Sequence, residues 1–184
     1  NGFRVEGAVS ADLCGISVSG DGDNNGVGFD DTLIGAHNAR PNDIGEAGKN
    51  YIVFGNSTGF SAAINLADLD GADGFRLDGI SRYDRSGRAV SAAGDINGDG
   101  YDDVIVGVPG EGISKRDRAG AVHVIYGSAS GLTGVNSDLF HQDSRGVKSR
   151  AEVDDAFGEA VEAGDINGDG YDDVIVGVPG EGVG

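Results

Sequence analysis

Oxygen-bearing side chains recur at alternate positions in a short segment at residues 95–103, which reads Asp-Ile-Asn-Gly-Asp-Gly-Tyr-Asp-Asp. Glycine at its sixth position permits a sharp bend, so the oxygens on either side can turn toward one point. Ca2+ accepts six to eight such oxygens at about 2.3–2.6 Å, whereas Mg2+ prefers to keep water. The segment has no His or Cys for zinc or iron. It therefore predicts a calcium loop whose ligands are the side chains of Asp95, Asn97, Asp99 and Asp103 and the carbonyl of Tyr101.

Two simpler explanations fit this loop poorly. An EF-hand needs a bidentate Glu at the twelfth position, but that residue is Val106, and a strand-forming run replaces the exit helix. A plain hairpin turn needs one or two Asn-Gly or Asp-Gly residues, not four oxygens at fixed spacing. The loop also occurs twice, and its second copy predicts as ligands Asp165, Asn167, Asp169, the Tyr171 carbonyl and Asp173.

A third, degenerate copy lies at residues 22–31, with Asp23, Asn25 and Asp31 at ligand positions. Its fifth position is Val27, and the loss of one carboxylate should weaken cation binding unless a register beginning at Asp21 supplies another oxygen. The sequence leaves occupancy of this loop open. The acidic segment 67–73 matches no such spacing, and we interpret it as a turn between strands.

The composition excludes several classes of function. The chain has 184 residues, with 13 Lys and Arg against 31 Asp and Glu, and a net charge of −18. A surface this acidic repels nucleic acid and anionic lipid headgroups, and no apolar run approaches the roughly 20 residues of a membrane span. The 35 glycines point to a turn-rich chain. Because the sequence has no Met and opens on Asn1, we expect a segment of a longer protein.

A long internal repeat organises the sequence. Residues 94–112 recur without a change at 164–182, an offset of 70, and earlier segments repeat at an offset of 72. The repeat divides the chain into units at residues 1–73, 74–145 and 146–184, the last of them partial.

Each complete unit has room for four short strands rich in Val, Ile, Tyr and Phe, which predicts antiparallel sheets. In the second unit we predict strands at 75–78, 88–93, 101–108 and 121–126, with a type II turn at Val108–Glu111. Four-stranded sheets at a fixed period indicate an all-β chain of β-propeller blades.

These residues resemble the FG-GAP repeats of the integrin alpha-subunit β-propeller and its bacterial relatives. The Phe-Gly element is present at residues 157–158, and the Gly-Ala-Pro element appears as Gly-Val-Pro at 107–109 and 177–179. The first copies depart from the pattern, since Ser86-Gly87 and Cys14-Gly15 replace Phe-Gly. Gly-Ala-His at 35–37 also lacks the proline.

The resemblance implies a propeller of about seven blades, of which this chain is an arc of about two and a half. It also implies that the calcium loop joins the first two strands of a blade, on the face opposite the ligand-binding loops. The ligand roles then fall on the residues named above in each loop. Because each blade packs on its neighbours, we expect the open arc to be marginal alone or to self-associate.

Three hypotheses of function follow. The favoured one is a calcium-stabilised adhesion or ligand-binding module of an extracellular or cell-surface protein, with a protein or glycan ligand on the loop face. The second is a rigid spacer in a large surface protein. The third is an accessory propeller of a secreted hydrolase, such as a phospholipase. We expect no catalysis by this chain, because its histidines, at 37, 123 and 141, are dispersed and no nucleophile elbow or zinc motif is present.

Overall fold

The computed structural model describes residues 2–129, 131, 132, 134 and 137–182. These residues form short β-strands and one 3-10 turn at Pro41–Asp43. The strands are β1 Arg4–Glu6, β2 Ser17–Asp21, β3 Asp31–Ala36, β4 Lys49–Val53, β5 Ala63–Asn65, β6 Gly74–Asp78, β7 Val90–Ala92, β8 Val104–Val108, β9 Ala121–Ile125, β10 Ser137–Phe140, β11 Ala160–Gly164 and β12 Asp173–Gly177.

The strands form two complete antiparallel sheets and part of a third. Blade 1 has the order β2-β3-β4-β6, blade 2 has the order β7-β8-β9-β10, and β11 pairs with β12 in a partial blade 3. The predicted all-β architecture of four-stranded blades is confirmed. A further pair, β1 with β5, is parallel and packs Val5 and Ile64 onto the core of blade 1.

The predicted grouping of strands into blades is wrong by one strand. The repeat placed the strand at 75–78 at the start of blade 2, but β6 pairs with β4 of blade 1, where Arg76 lies opposite Tyr51. A repeat gives the period of a structure and leaves its phase undetermined. The blades occupy residues 17–78, 90–140 and 160–177. The unit boundaries at 1–73, 74–145 and 146–184 describe the sequence repeat and stay a prediction.

Apolar side chains hold the blades face to face. Leu33 and Ile52 of blade 1 are buried in one cluster with Val104 and Val106 of blade 2. On its other face, blade 2 packs Ile105 and other buried residues against Phe157 and the strands of blade 3. Burial of this kind contributes about 25 cal/mol per Å2 of apolar surface, so each blade depends on its neighbours.

The turn at Val108–Glu111 exists, but it is not type II. The Glu111 N–H donates to the Val108 carbonyl at 3.1 Å, whereas Gly110 does not take the positive φ that a type II turn requires at its third residue. Glycine is needed there for another reason. A Cβ at Gly110 would overlap the carbonyl oxygen of Tyr83, which belongs to the connection between blades 1 and 2.

Candidate metal-binding loops

The three predicted loops occupy equivalent places in the fold. Residues 22–30 join β2 to β3, residues 93–103 join β7 to β8, and residues 165–172 join β11 to β12. Each therefore connects the first two strands of its blade, which is the place that the resemblance implied. Because the strands are antiparallel, all three loops emerge at one end of the blades.

Hydrogen bonds curl the second loop around its own oxygens. Asp95 Oδ1 accepts from the N–H groups of Gly98 and Asp99 at 2.7 and 3.0 Å, and its Oδ2 accepts from Gly100 at 2.8 Å. Asn97 Oδ1 accepts from Asp99 at 2.9 Å, and Asp99 Oδ1 accepts from Tyr101 at 3.1 Å. The side chains at positions one, three and five thus all turn back into the loop.

Asp103 forms the buried base of the second loop. It is 0% exposed, and its two oxygens accept from Gly127 at 2.8 Å and Ile96 at 2.9 Å. Burial raises its pKa to about 6, these two N–H groups oppose the rise, and the charges of Asp99 and Asp95 add to it. Three carboxylates therefore act on one another here, and a cation would relieve their repulsion.

The third loop repeats this arrangement on a more exposed blade. Asp165 accepts from Gly168, Asp169 and Gly170 at 2.6–3.0 Å, as Asp95 does in the second loop. Asn167 and Asp169 accept from residues 169 and 171. The amide of Asn167 also donates to the Asp173 carboxylate at 3.2 Å. The oxygens of both loops are thus held alike by a local network.

The first loop keeps the same anchors despite Val27. Asp23 accepts from Val27 at 2.9 Å and from Gly28 at 2.5 Å, and Asn25 accepts from Val27 at 3.1 Å. Asp31 is 1% exposed, its Oδ1 accepts from Gly55 at 2.9 Å, and burial raises its pKa to about 6. Its Oδ2 is also buried, and the backbone N–H groups of Gly55 and Asn24 oppose the rise in its pKa. The alternative ligand register begins at Asp21, whose side chain lies outside the described part of the structure.

The donor set fits a hard cation such as Ca2+. Every proposed side-chain ligand is an oxygen of Asp or Asn, and each ligand carboxylate keeps at least one lone pair beyond the hydrogen bonds that it accepts. Within the described part of the chain, no three His, Cys, Asp or Glu side chains converge in a preformed metal cluster. The ligand assignments in all three loops therefore stay a prediction.

Charge is partitioned between the two ends of the blades. We call the loop end the aspartate end; the described residues of segments 21–31, 54–73, 93–103, 126–134 and 164–173 include fifteen aspartates there and no lysine or arginine. We call the opposite end the arginine end; it holds eleven of the thirteen basic residues, in residues 37–49, 79–89, 109–120 and 141–159. A large excess of one charge at one end attracts cations there.

A pair of acidic residues at the arginine end, Asp84 and Glu111, could not be predicted from the loop spacing. Asp84 is 5% exposed, and its carboxyl and that of Glu111 line the same cavity and shift each other's pKa. Burial raises the pKa of Asp84; burial and the Asp84 charge raise the pKa of Glu111 to about 6. Aspartate recurs at the equivalent positions 12 and 155 of the other repeats, and this recurrence could have indicated a role for Asp84. Asp12 and Asp155 are buried too. The pair borders a cavity of about 510 Å3 whose wall includes Leu77, Val106, Leu139 and His123.

This pair predicts a loss of stability as pH rises. A carboxyl whose pKa is higher in the folded state favours folding when protonated, so its contribution is full below its ordinary pKa and is lost through about pH 6. In chelator, we expect the melting temperature to fall between pH 5 and 7 by about 3 °C more in the wild type than in Glu111→Gln, or ~1 kcal/mol. Circular dichroism melts test this.

Glu181→Gln is the matched control, because Glu181 has the same flanking sequence but contacts Gln142 and Ser149. It should keep the wild-type pH dependence. Equal slopes for wild type and Glu111→Gln would contradict the assignment.

Comparison with known proteins agrees with this architecture. Residues 86–125 and 157–184 match the family model described as FG-GAP repeat. The chain is 28% identical over 183 residues to integrin alpha-5 of Xenopus laevis, covering 95% of this chain and 15% of that protein. It is 33% identical over 182 residues to human integrin alpha-IIb, covering 96% and 16%. It is also 33% identical over 158 residues to phosphatidylinositol-glycan-specific phospholipase D of Bos taurus, covering 85% and 18%.

Stacked sheets of four antiparallel strands, each opening with an acidic hairpin loop, define blades of the β-propeller class. With the family match at two repeats and the integrin similarity over nearly all its length, the chain carries FG-GAP repeats and is similar to integrin alpha subunits. The chain spans less than a fifth of the length of each of the three relatives described here. No helix among the described residues is long and apolar enough to span a membrane.

Proposed function

We propose that this chain is a calcium-binding β-propeller module of an extracellular or cell-surface protein that acts in adhesion or ligand binding. The observation that carries the proposal is the aspartate end. It holds two loops with the same ligand spacing and a third that lacks one ligand, and its described residues include fifteen aspartates and no lysine or arginine. Without cations, these like charges repel one another and destabilise the fold.

Calcium would stabilise the hairpin at the start of each blade. The ligand residues are Asp95, Asn97, Asp99, Tyr101 and Asp103 in the second loop and their equivalents in the third. Asp23, Asn25 and Asp31 form the weaker set of the first loop. Because each set ends at the first residue of the following strand or immediately before it, a bound cation ties the two strands of the hairpin together. Millimolar calcium outside cells fills even sites with Kd of about 10⁻⁴–10⁻³ M, and this supports the extracellular assignment.

The arginine end is the surface we propose for a protein or glycan ligand. Its loops differ between blades, whereas the second and third loops of the aspartate end are identical in sequence. It also combines basic residues with the cavity beside Asp84 and Glu111. The exposed β12, in which Ile175 is 44% exposed, is the surface for self-association of the arc.

The similarity to phosphatidylinositol-glycan-specific phospholipase D supports a second candidate, an accessory propeller of a secreted hydrolase. In that role this chain would still bind calcium and perform no catalysis itself. A rigid spacer is the remaining candidate, and it differs from a binding module in having no ligand on its loops. Loop substitutions at the arginine end that leave partner binding intact would favour the spacer.

Isothermal titration with Ca2+ tests the proposal. We expect two stronger sites, with one lost in Asp99→Ala and the other in Asp169→Ala, and a weaker third event from the first loop. Asp68→Ala removes an exposed aspartate of the same end but outside the loops, so it should leave the stoichiometry unchanged. The calcium assignment fails if millimolar Ca2+ gives no binding heat, or if the loop variants titrate like the wild type.

A further inference from the structure

We propose that Asp102 and Tyr101 are positioning residues for the loop of the preceding blade, so that successive cation loops are coupled to each other. Neither side chain belongs to the ligand set of its own loop, in which Tyr101 contributes only its carbonyl. The contact between loops is a structural inference in its own right. Only its effect on cation affinity rests on the proposed calcium binding.

Asp102 holds the start of the first loop through two hydrogen bonds. Its Oδ2 accepts from the backbone N–H of Asp23 at 2.8 Å, and its carbonyl accepts from the Asn24 side-chain amide at 2.9 Å. Asn24 is 1% exposed, and the second bond is partly buried between the blades. One residue of blade 2 therefore holds residues 23 and 24 of the loop in blade 1.

The first loop is also shaped to receive these side chains. A Cβ at Gly22 would overlap the Asp102 carboxylate, and one at Gly26 would lie 2.7 Å from Cε1 of the Tyr101 ring. Both glycines also have positive φ, +30° and +73°. A larger residue at either position would push the two loops apart.

The next pair of loops repeats the contact. A Cβ at Gly94 would lie 2.6 Å from Asp172 Oδ2, and one at Gly98 would lie 3.1 Å from Cε1 of Tyr171. Side chains of the third loop thus pack against glycines of the second loop. Side chains of the second loop pack against glycines of the first loop in the same way. The second interface shares these close approaches but not the hydrogen bonds. Ile96 replaces Asn24 and has no side-chain amide to donate, and, within the described residues, the Asp172 carboxylate has no hydrogen bond from the Asp95 N–H that matches the bond between Asp102 and Asp23.

The contact with Asp102 involves the first loop, which has the weakest set of cation ligands. The first loop has Val27 where the others have an aspartate, so it has one charged ligand fewer. Asp23, its first ligand, is oriented from within by N–H groups at 27 and 28 and from outside by Asp102. Loss of Asp102 leaves the Asp23 N–H without its acceptor and frees the backbone from which this ligand projects.

Amide hydrogen exchange tests the contact without any cation. In chelator, Asp102→Ala should speed exchange of the Asp23 amide by about tenfold, whereas Asp102→Asn, which keeps an acceptor oxygen, should restore most of the protection. Asp172→Ala is the matched control; it should leave residues 21–31 unchanged. Unchanged exchange at Asp23 in Asp102→Ala, or equal acceleration throughout the chain in Asp102→Ala and Asp102→Asn, would overturn the proposal.

Repeating the measurement across a Ca2+ titration tests the coupling. The calcium concentration that half-protects residues 21–31 should rise about tenfold in Asp102→Ala and return toward the wild-type value in Asp102→Asn. Residues 165–173 serve as the internal control, with an unchanged midpoint. Equal midpoints at 21–31 in wild type and Asp102→Ala would overturn the coupling. A wild type with no calcium response would instead overturn the proposed function, leaving the chelator result to decide the contact.

Discussion

Millimolar Ca2+ should raise the melting temperature of this chain by roughly 10–20 °C, and a chelator should reverse the rise. A ligand at 100 times its Kd stabilises the folded state by about 2.7 kcal/mol for each site, and the second and third loops provide two sites. In a chain of this size, ~1 kcal/mol shifts the melting temperature by roughly 2–4 °C. Circular dichroism melts in Ca2+ and in chelator measure the effect.

Two comparisons separate specific binding from general screening of charge. Asp99→Ala with Asp169→Ala should lose most of the calcium response, whereas Asp68→Ala should keep it, although all three substitutions remove charge from the same end. Potassium chloride at matched ionic strength should reproduce little of the rise, because screening alone is weak at short range. A double variant that still gains 10 °C with calcium would contradict the ligand assignment.

The features that the sequence predicted are those determined within one short segment. The spacing of oxygens in residues 95–103 and the repeat at 165–173 are local, and the structure places each loop at a hairpin as expected. The all-β architecture followed from short apolar runs separated by turn residues. Neither inference required knowledge of which blade lies beside which.

The features that escaped prediction depend on contacts between blades. The phase of the blades follows from the pairing of β6 with β4, and Gly110 is required by the carbonyl of Tyr83 rather than by its own φ. Asp102 has no ligand role in the sequence pattern, yet its carboxylate accepts a hydrogen bond from a backbone N–H 79 positions earlier. Local spacing carries no information about such partners, because they belong to other repeats.

The identical repeats show this limit most directly. Residues 94–112 and 164–182 have the same sequence, but β8 is buried whereas β12 lies at the open side of blade 3. Ile105 is 0% exposed and its counterpart Ile175 is 44% exposed. The difference arises from β9, which pairs with β8, and from Phe157 and the strands of blade 3, which pack on Ile105. Among the described residues, neither has an equivalent beside β12.

Truncation of these two isoleucines should therefore have very different costs. Ile105→Ala removes a side chain packed with Val122 and Phe157, and such a cavity costs about 2–5 kcal/mol. Ile175→Ala removes a half-exposed side chain and should cost under about 1 kcal/mol. Urea unfolding in saturating Ca2+ compares the two changes in one sequence context. Equal costs would show that β12 is covered in solution, which is the result that self-association through this strand would produce.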